Sequence, residues 1–141
     1  MIGARPYLLD TNIATYIANG RSQAARLSLK RVSLDHRVLV SSLSEAELLF
    51  GLEMKPHAIK LNIAVHEVLK SLEIKPWDSS AAIACSQLRA QLRTSGKTLT
   101  NMDLLIASHA LALGAVLVSH DGAFRHVSPQ LSVVDWATDL P

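Results

Sequence analysis

The chain has 141 residues, 49% of them hydrophobic and 18% charged, a composition too apolar and too weakly charged for a disordered segment and a length suited to one domain, residues 1–141. No run of about 18 uncharged apolar residues is present, and the opening MIGARPYLLD is interrupted by Pro6 and Asp10, so neither a membrane span nor a secretory leader is expected. The formal net charge of +2 tolerates a polyanion without requiring one, and a single cysteine, Cys85, excludes an internal disulfide and a CxxC metal site, which fits a reducing cytoplasm.

Tyr7-Leu8-Leu9 reads as a short buried strand ending in Asp10, and Thr11-Asn12 then opens the helical run IATYIAN, which stops at Gly20. Residues 22 to 35 suggest a second helix. Val38 to Ser41 is a β-branched strand, and Ser42 opens the helix LSEAELLFGLE. Pro56 is expected to start a helix of about 16 residues, Glu73 to Lys75 a short strand, and Ser79 to Thr94 a long amphipathic helix ending near Gly96. Thr100 begins the helix MDLLIASHALALG with Gly114 placed as its C-cap. Ala115 to Ser119 follows as a buried strand, His120-Asp121-Gly122 as a turn, and Leu131 to Val134 as an edge strand leading to Trp136. There is no repeat, low-complexity tract or linker. Strands alternating with helices imply βαβ units, and short wholly apolar strands imply a mostly parallel sheet covered on both faces. Ligands of such sheets bind beyond the carboxyl ends of the strands, which directs attention to Asp10, the Ser41 to Glu47 turn, and Ser119 to Asp121.

Four carboxylates occupy comparable places: Asp10 after the first strand, Glu47 one turn into a helix, Asp103 in the first turn of another, and Asp121 after a late strand. Carboxylate oxygens suit Mg²⁺ or Mn²⁺, and two unit charges about 4 Å apart repel by roughly 4 kcal/mol at an effective dielectric near 20, so a shared cluster invites a cation or raised pKa values. Each acid also has a structural reading. Asp10 could N-cap the first helix, Ser44–Glu47 and Thr100–Asp103 match capping-box spacing, and Asp121 beside Gly122 has the composition of a turn. Asp78 is an N-cap candidate, and Asp35, Glu45, Glu53, Glu67, Glu73, Asp135 and Asp139 default to solvated positions. The six histidines lack HExxH or paired metal spacing; His120 stands out because it adjoins Asp121.

Other chemistries lack their residues. There is no GxxxxGK[ST] loop, no GxGxxG after a strand and no GxSxG elbow. LLDTN has Asn12 where a phosphatase of the two-aspartate type needs its general acid, and AVLVSHD lacks the lysine of a phospho-acceptor receiver domain. With two residues each of Trp, Tyr and Phe there is no stacking platform for bases, so RNA contact would run mainly through phosphates. Arg89, Arg93 and Lys97 could follow an RNA backbone, with a solvated helix face as the default.

YLLDTN at 7 to 12, SSLSEAELLFG at 41 to 51, MDLLIASHALALGAVLVSHD at 102 to 121 and VVDW at 133 to 136 together resemble the PIN-domain endoribonucleases, especially VapC-type toxins of bacterial toxin–antitoxin pairs. The resemblance spans essentially the whole chain. It implies an α/β PIN-like fold with a mostly parallel five-stranded sheet in the order 3-2-1-4-5, flanked by helices on both faces. It also implies Asp10, Glu47 and Asp103 as principal acids, Asp121 as a variable fourth, and Thr11 or Asn12 in phosphate or metal contacts. Mg²⁺ or Mn²⁺ would be the cofactor, RNA the substrate, a VapB-like antitoxin the inhibitory partner, and a homodimer the assembly. The sequence departs locally: SHDGAF at 119 to 124 stands where relatives often carry a TNN or TxD turn, an acidic stretch and Phe. Two other readings remain open, a non-catalytic PIN-like module that binds RNA or protein, and a structural α/β domain whose acids are caps.

Overall fold

The computed structural model describes residues 4–125 and 127–141. The start of the segment inspected for a leader and one of the six histidines, His126, lie outside them.

Five short strands run β1 (Tyr7–Leu9), β2 (Val38–Ser41), β3 (Glu73–Lys75), β4 (Val116–Val118) and β5 (Val133–Val134). They pair in the order β3-β2-β1-β4-β5, and every pair is parallel. Leu8 lies beside Leu39 and Leu117, and Leu9 beside Val40 and Val118, so the pleat sends alternate rows to opposite faces.

Helices α1 (Thr11–Asn19), α2 (Gln23–Val32), α3 (Ser42–Glu53), α4 (Ile59–Ser71), α5 (Ser79–Ser95) and α6 (Asn101–Leu113) fill the connections. One face carries Leu9, Val38, Val40 and Val118 against Ile13, Ile17, Leu48, Leu52, Val65, Leu69 and Trp136. The other carries Leu8, Leu39 and Leu117 against Leu88, Leu92, Ile106, Ala110, Phe124 and Leu131. Both faces of the three central strands are therefore covered, as their uninterrupted apolar runs require, while β3 and β5 are partly exposed at the edges. Burying one such leucine contributes about 2 kcal/mol or more, and truncation to alanine costs roughly 2–5 kcal/mol.

The helix boundaries follow local chemistry. Asp10, Ser22, Ser41, Asp78 and Thr100 are extended N-caps whose side chains accept amide hydrogen bonds from α1, α2, α3, α5 and α6. Gly114 closes α6 at φ 62°, a left-handed turn that lets the amides of Gly114 and Ala115 reach back to the carbonyls of Leu111 and Ala110. The chain then enters β4 at once.

Three boundaries differ from the sequence expectation by two residues or more. α4 begins at Ile59 because Lys55–Ala58 first closes a turn, with the Ala58 amide on the Lys55 carbonyl at 3.0 Å, and no side chain caps the helix. α2 ends at Val32, where the amides of Ser33, Asp35 and His36 fold back into successive turns. β5 keeps only Val133 and Val134 of the predicted four residues.

Two acids expected in solvent also hold the chain together, Asp139 while remaining exposed. Asp139 accepts from the Ser22 hydroxyl at 2.6 Å and from the amides of Gln23 and Ala24, fastening the C-terminal segment onto the start of α2. Asp135 accepts from the Ala137 amide and faces His120. Glu73, placed in β3, takes Arg37 at 2.6 Å.

Candidate active site

β1, β2 and β4 all end at one rim, and α1, α3 and α6 all begin there. Asp10 follows β1 directly; its amide continues the ladder to the Val118 carbonyl at 3.0 Å, which fixes its height beside β4. Its Oδ1 accepts from the Ile13 amide at 2.8 Å. The capping reading of Asp10 therefore holds, and it uses one carboxylate oxygen for that bond.

A cleft of about 160 Å³ opens at this rim, lined by Asp10, Thr11, Asn12, Glu47, Met102, Asp103, Ile106 and Phe124. A hollow of about 510 Å³ over α5 and α6 is larger, but no charged residue lines it. The smaller cleft is where three of the acids, Asp10, Glu47 and Asp103, meet.

Burial raises the Asp10 pKa from 3.8 to about 6. Hydrogen bonds from the Ser119 hydroxyl and the Ile13 amide oppose this, while the charges of Asp103 and Asp121 push in the same direction as burial. Only 6% of Asp10 is exposed. Its carboxylate is held where water cannot fully solvate it, with two acids close enough to act on it.

The other acids separate in role. Ser41, not Ser44, caps α3, accepting from the Leu43 amide at 3.2 Å. The expected Ser44–Glu47 capping box does not form, and Glu47 is left on the exposed flank of the cleft. Asp103 keeps half of its box: the Thr100 hydroxyl accepts from the Asp103 amide at 3.2 Å, and the carboxylate lines the cleft. Asp121 is not among the lining residues. Its Oδ1 accepts from the Ala123 amide at 2.9 Å and caps the 3-10 turn Gly122–Phe124, so the turn reading is the one observed. Asp121 acts on the cleft through its charge on Asp10.

Thr11 and Asn12 both line the cleft. The Thr11 hydroxyl donates to the buried Ser44 hydroxyl at 2.8 Å, tying α1 to α3 one turn before Glu47. That bond commits its proton to the frame of the site.

Ser119 received no role from the sequence, and Ser44 only that of a helix cap. Ser119 accepts from the Asp121 amide at 3.0 Å and hydrogen-bonds Asp10, linking the two acids. Its signal was a small polar residue ending an apolar strand at the rim. Ser44 is fully buried within an otherwise apolar helical face. His120 does not line the cleft. Its Nε2 meets the Pro141 carbonyl and its Nδ1 the Asp135 carboxylate, each at 2.8 Å, and these two acceptors raise its pKa. Among the described residues, no group of three His, Cys, Asp or Glu side chains is ready-made to hold a metal ion. No helix among them is long and apolar enough to cross a membrane.

The family model for the PIN domain matches residues 7–128, from β1 through the turn after β4. The chain belongs to the PIN-domain family. This PIN domain is 30% identical over 131 residues to ribonuclease VapC2 of Rickettsia felis, covering 92% of this chain and 97% of the relative. It is 32% identical over 132 residues to the tRNA(fMet)-specific endonuclease VapC of Salmonella typhimurium, again covering 92% and 97%. The crystal structure of VapBC2 from Rickettsia felis bound to a promoter DNA fragment superposes with a TM-score of 0.85 over 92% of this chain and 98% of that one, at 30% identity. DNA-bound VapBC from Salmonella typhimurium gives 0.83 at 27% identity, over 94% and 99%. The strand order and the helices on both faces agree with what the resemblance implied.

Proposed function

We propose that this PIN domain is an endoribonuclease that hydrolyses RNA phosphodiesters at the Asp10 cleft and acts as the toxin of a toxin–antitoxin pair. The observation that carries the reading is Asp10: a buried carboxylate with its pKa near 6, in a cleft shared with Glu47 and Asp103, within a chain whose relatives are VapC ribonucleases.

The donor set suits Mg²⁺ or Mn²⁺. Such ions keep several waters and need only one or two carboxylates beside the substrate phosphate, so the lack of a preassembled three-ligand group is compatible with them. Asp10, Glu47 and Asp103 would hold the ion, with Asp121 contributing charge from the rim. The chemistry a divalent cation supplies there is activation of the attacking water and neutralisation of charge developing on the phosphodiester.

The rest is the work of the chain itself. The Ile13 amide and the Ser119 hydroxyl orient Asp10. The Thr11–Ser44 bond keeps the first turn of α1 against α3. Met102, Ile106 and Phe124 form the apolar wall that limits water around the acids. Attack by water leaves a 5′-phosphate and a 3′-hydroxyl, and the ribose 2′-hydroxyl takes no part.

The partner of such a toxin is a VapB-like antitoxin, the assembly a homodimer, and the compartment the cytoplasm. The test is an RNA cleavage assay with Mn²⁺, with Mn²⁺ plus chelator, and with Asp10→Asn, followed by end-group analysis. Cleavage only in the first condition with 5′-phosphate ends is expected. Products ending in 2′,3′-cyclic phosphate, or full activity in folded Asp10→Asn, would refute the reading.

A further inference from the structure

His109 lies in α6, six residues beyond Asp103, and is 1% exposed. Its Nδ1 stands 2.9 Å from the Ser41 hydroxyl, and its ring also hydrogen-bonds the Pro76 carbonyl. The donor count fixes the protons. A carbonyl can only accept; with Nδ1 given to Ser41, the ring nitrogen left to donate to Pro76 is Nε2. Nδ1 of the neutral ring is then an acceptor and takes the Ser41 proton. Ser41 in turn accepts from the Leu43 amide at the start of α3. The chain of bonds runs from the Leu43 amide through the Ser41 hydroxyl and the His109 ring to the Pro76 carbonyl, with every buried donor and acceptor used.

A second set of bonds runs beside it. The Trp77 amide donates to the Ser42 hydroxyl at 3.1 Å, and the Trp77 indole donates to the Leu105 carbonyl at 3.0 Å, one turn before His109 in α6. Three pieces of chain far apart in sequence therefore meet: the β2–α3 junction, the β3–α5 junction and the middle of α6. Two of them carry the acids of the cleft, since α3 bears Glu47 and α6 bears Asp103.

We propose that His109 is a positioning residue of the cleavage site, setting α3 against α6 and with them Glu47 against Asp103. The inference rests on the nuclease reading above. His109 touches neither substrate nor cleft; it acts through the two helices. Burial keeps the ring neutral by lowering its pKa, and Asp78 and Lys75 are the charged groups that act on it, with opposite sign. A neutral ring has one acceptor and one donor nitrogen, which is what a bridge between a hydroxyl donor and a carbonyl acceptor requires.

The test combines two readouts. In the unmodified protein, ¹H–¹⁵N correlation of the imidazole near pH 7 should show His109 as the neutral Nε2–H tautomer. An Nδ1–H tautomer or an imidazolium would overturn the proposal whether or not RNA is cut. In His109→Leu, which fills the space but leaves Ser41 and Pro76 unmatched, kcat for RNA cleavage per folded molecule should fall roughly tenfold or more, since small misplacements of reacting groups are costly. KM should stay within about twofold, because phosphate contacts set binding. His109→Asn, which restores an acceptor for Ser41, should recover part of the loss, and amide exchange at Leu43 and Trp77 should quicken in the Leu variant. An unchanged kcat in folded His109→Leu, or equal losses in the Leu and Asn variants, would overturn the positioning role. If His109→Leu does not fold, the tautomer and the Ser41→Ala variant decide, with an unchanged kcat in Ser41→Ala counting against it. Failure of the unmodified protein to cleave RNA at all would instead fall on the nuclease reading, while the tautomer still tests the clamp.

Discussion

Replacing Asp10 by asparagine should make the metal-free protein more stable at neutral pH while abolishing cleavage. The folded carboxyl has its pKa at about 6 against 3.8 for the free group. A raised acid pKa means that the folded state disfavours the ionised form, so the penalty is absent below about pH 4, grows between 4 and 6, and is complete above 6. The shift corresponds to about 3 kcal/mol at pH 7.5, of which roughly half is relieved on acidification to pH 5. Asparagine keeps an oxygen for the Ile13 amide but carries no charge at any pH. The variant should therefore gain up to about 3 kcal/mol at pH 7.5, worth roughly 10 °C in Tm for a chain of this size. It should also lose this part of the dependence on pH. Urea unfolding followed by the fluorescence of Trp77 and Trp136, in chelator at pH 7.5 and pH 5, measures both quantities. Mn²⁺ should then stabilise the parent, by about 2.7 kcal/mol at a hundredfold excess over Kd, and leave the variant almost unchanged. An Asp10→Asn protein less stable than its parent at pH 7.5, or one with the same pH slope, would refute the electrostatic account of the cleft.

Glu47→Gln and Asp103→Asn should each reduce cleavage by about 10²-fold or more with unfolding free energies within about 1 kcal/mol of the parent, as read from kcat and urea curves. Asp121→Asn should cost far less activity, because the residue caps the Gly122–Phe124 turn and reaches the cleft only by its charge; a loss equal to that of Asp10→Asn would contradict that placement. Ser119→Ala removes a hydrogen bond that lowers the Asp10 pKa, so in urea curves across pH the range over which the metal-free protein loses stability should extend further upward. Gly114→Ala forces a Cβ into φ 62° and should cost about 1–2 kcal/mol by thermal unfolding, with cleavage per folded molecule preserved.

The central strands were legible because parallel strands buried on both faces are uninterrupted apolar runs, as in Leu8-Leu9, Val38 to Val40 and Val116 to Val118, whereas their order came only from the family resemblance. Helix starts were legible where a short oxygen-bearing side chain marks them, as at Asp10, Asp78 and Thr100. α4 had no such mark, so Pro56 was taken for its start and the Lys55–Ala58 turn went unseen. In the site, residue type was readable and geometry was not. Ser44 and Glu47 have capping-box spacing, yet the real cap is Ser41, and only the folded backbone distinguishes the two. Asp135 and Asp139 looked like ordinary surface acids because their partners, His120 and the amides of α2, come from distant parts of the chain. Ser119 and His109 were obscured in the same way: the atoms they bind are brought to them by the topology of the sheet.

The central strand also sets an order of assembly. Tyr7 is paired with Val38 on one side and with Val116 on the other, so Asp10 is made first but its amide has no Val118 carbonyl to meet until most of the chain exists. A copy halted before β4 lacks Ser119 and Phe124, and one halted before α6 lacks Asp103 as well. Because non-local pairings of this kind form late, a ribosome can carry the greater part of this protein without carrying a working cleft, which closes only once synthesis is nearly complete.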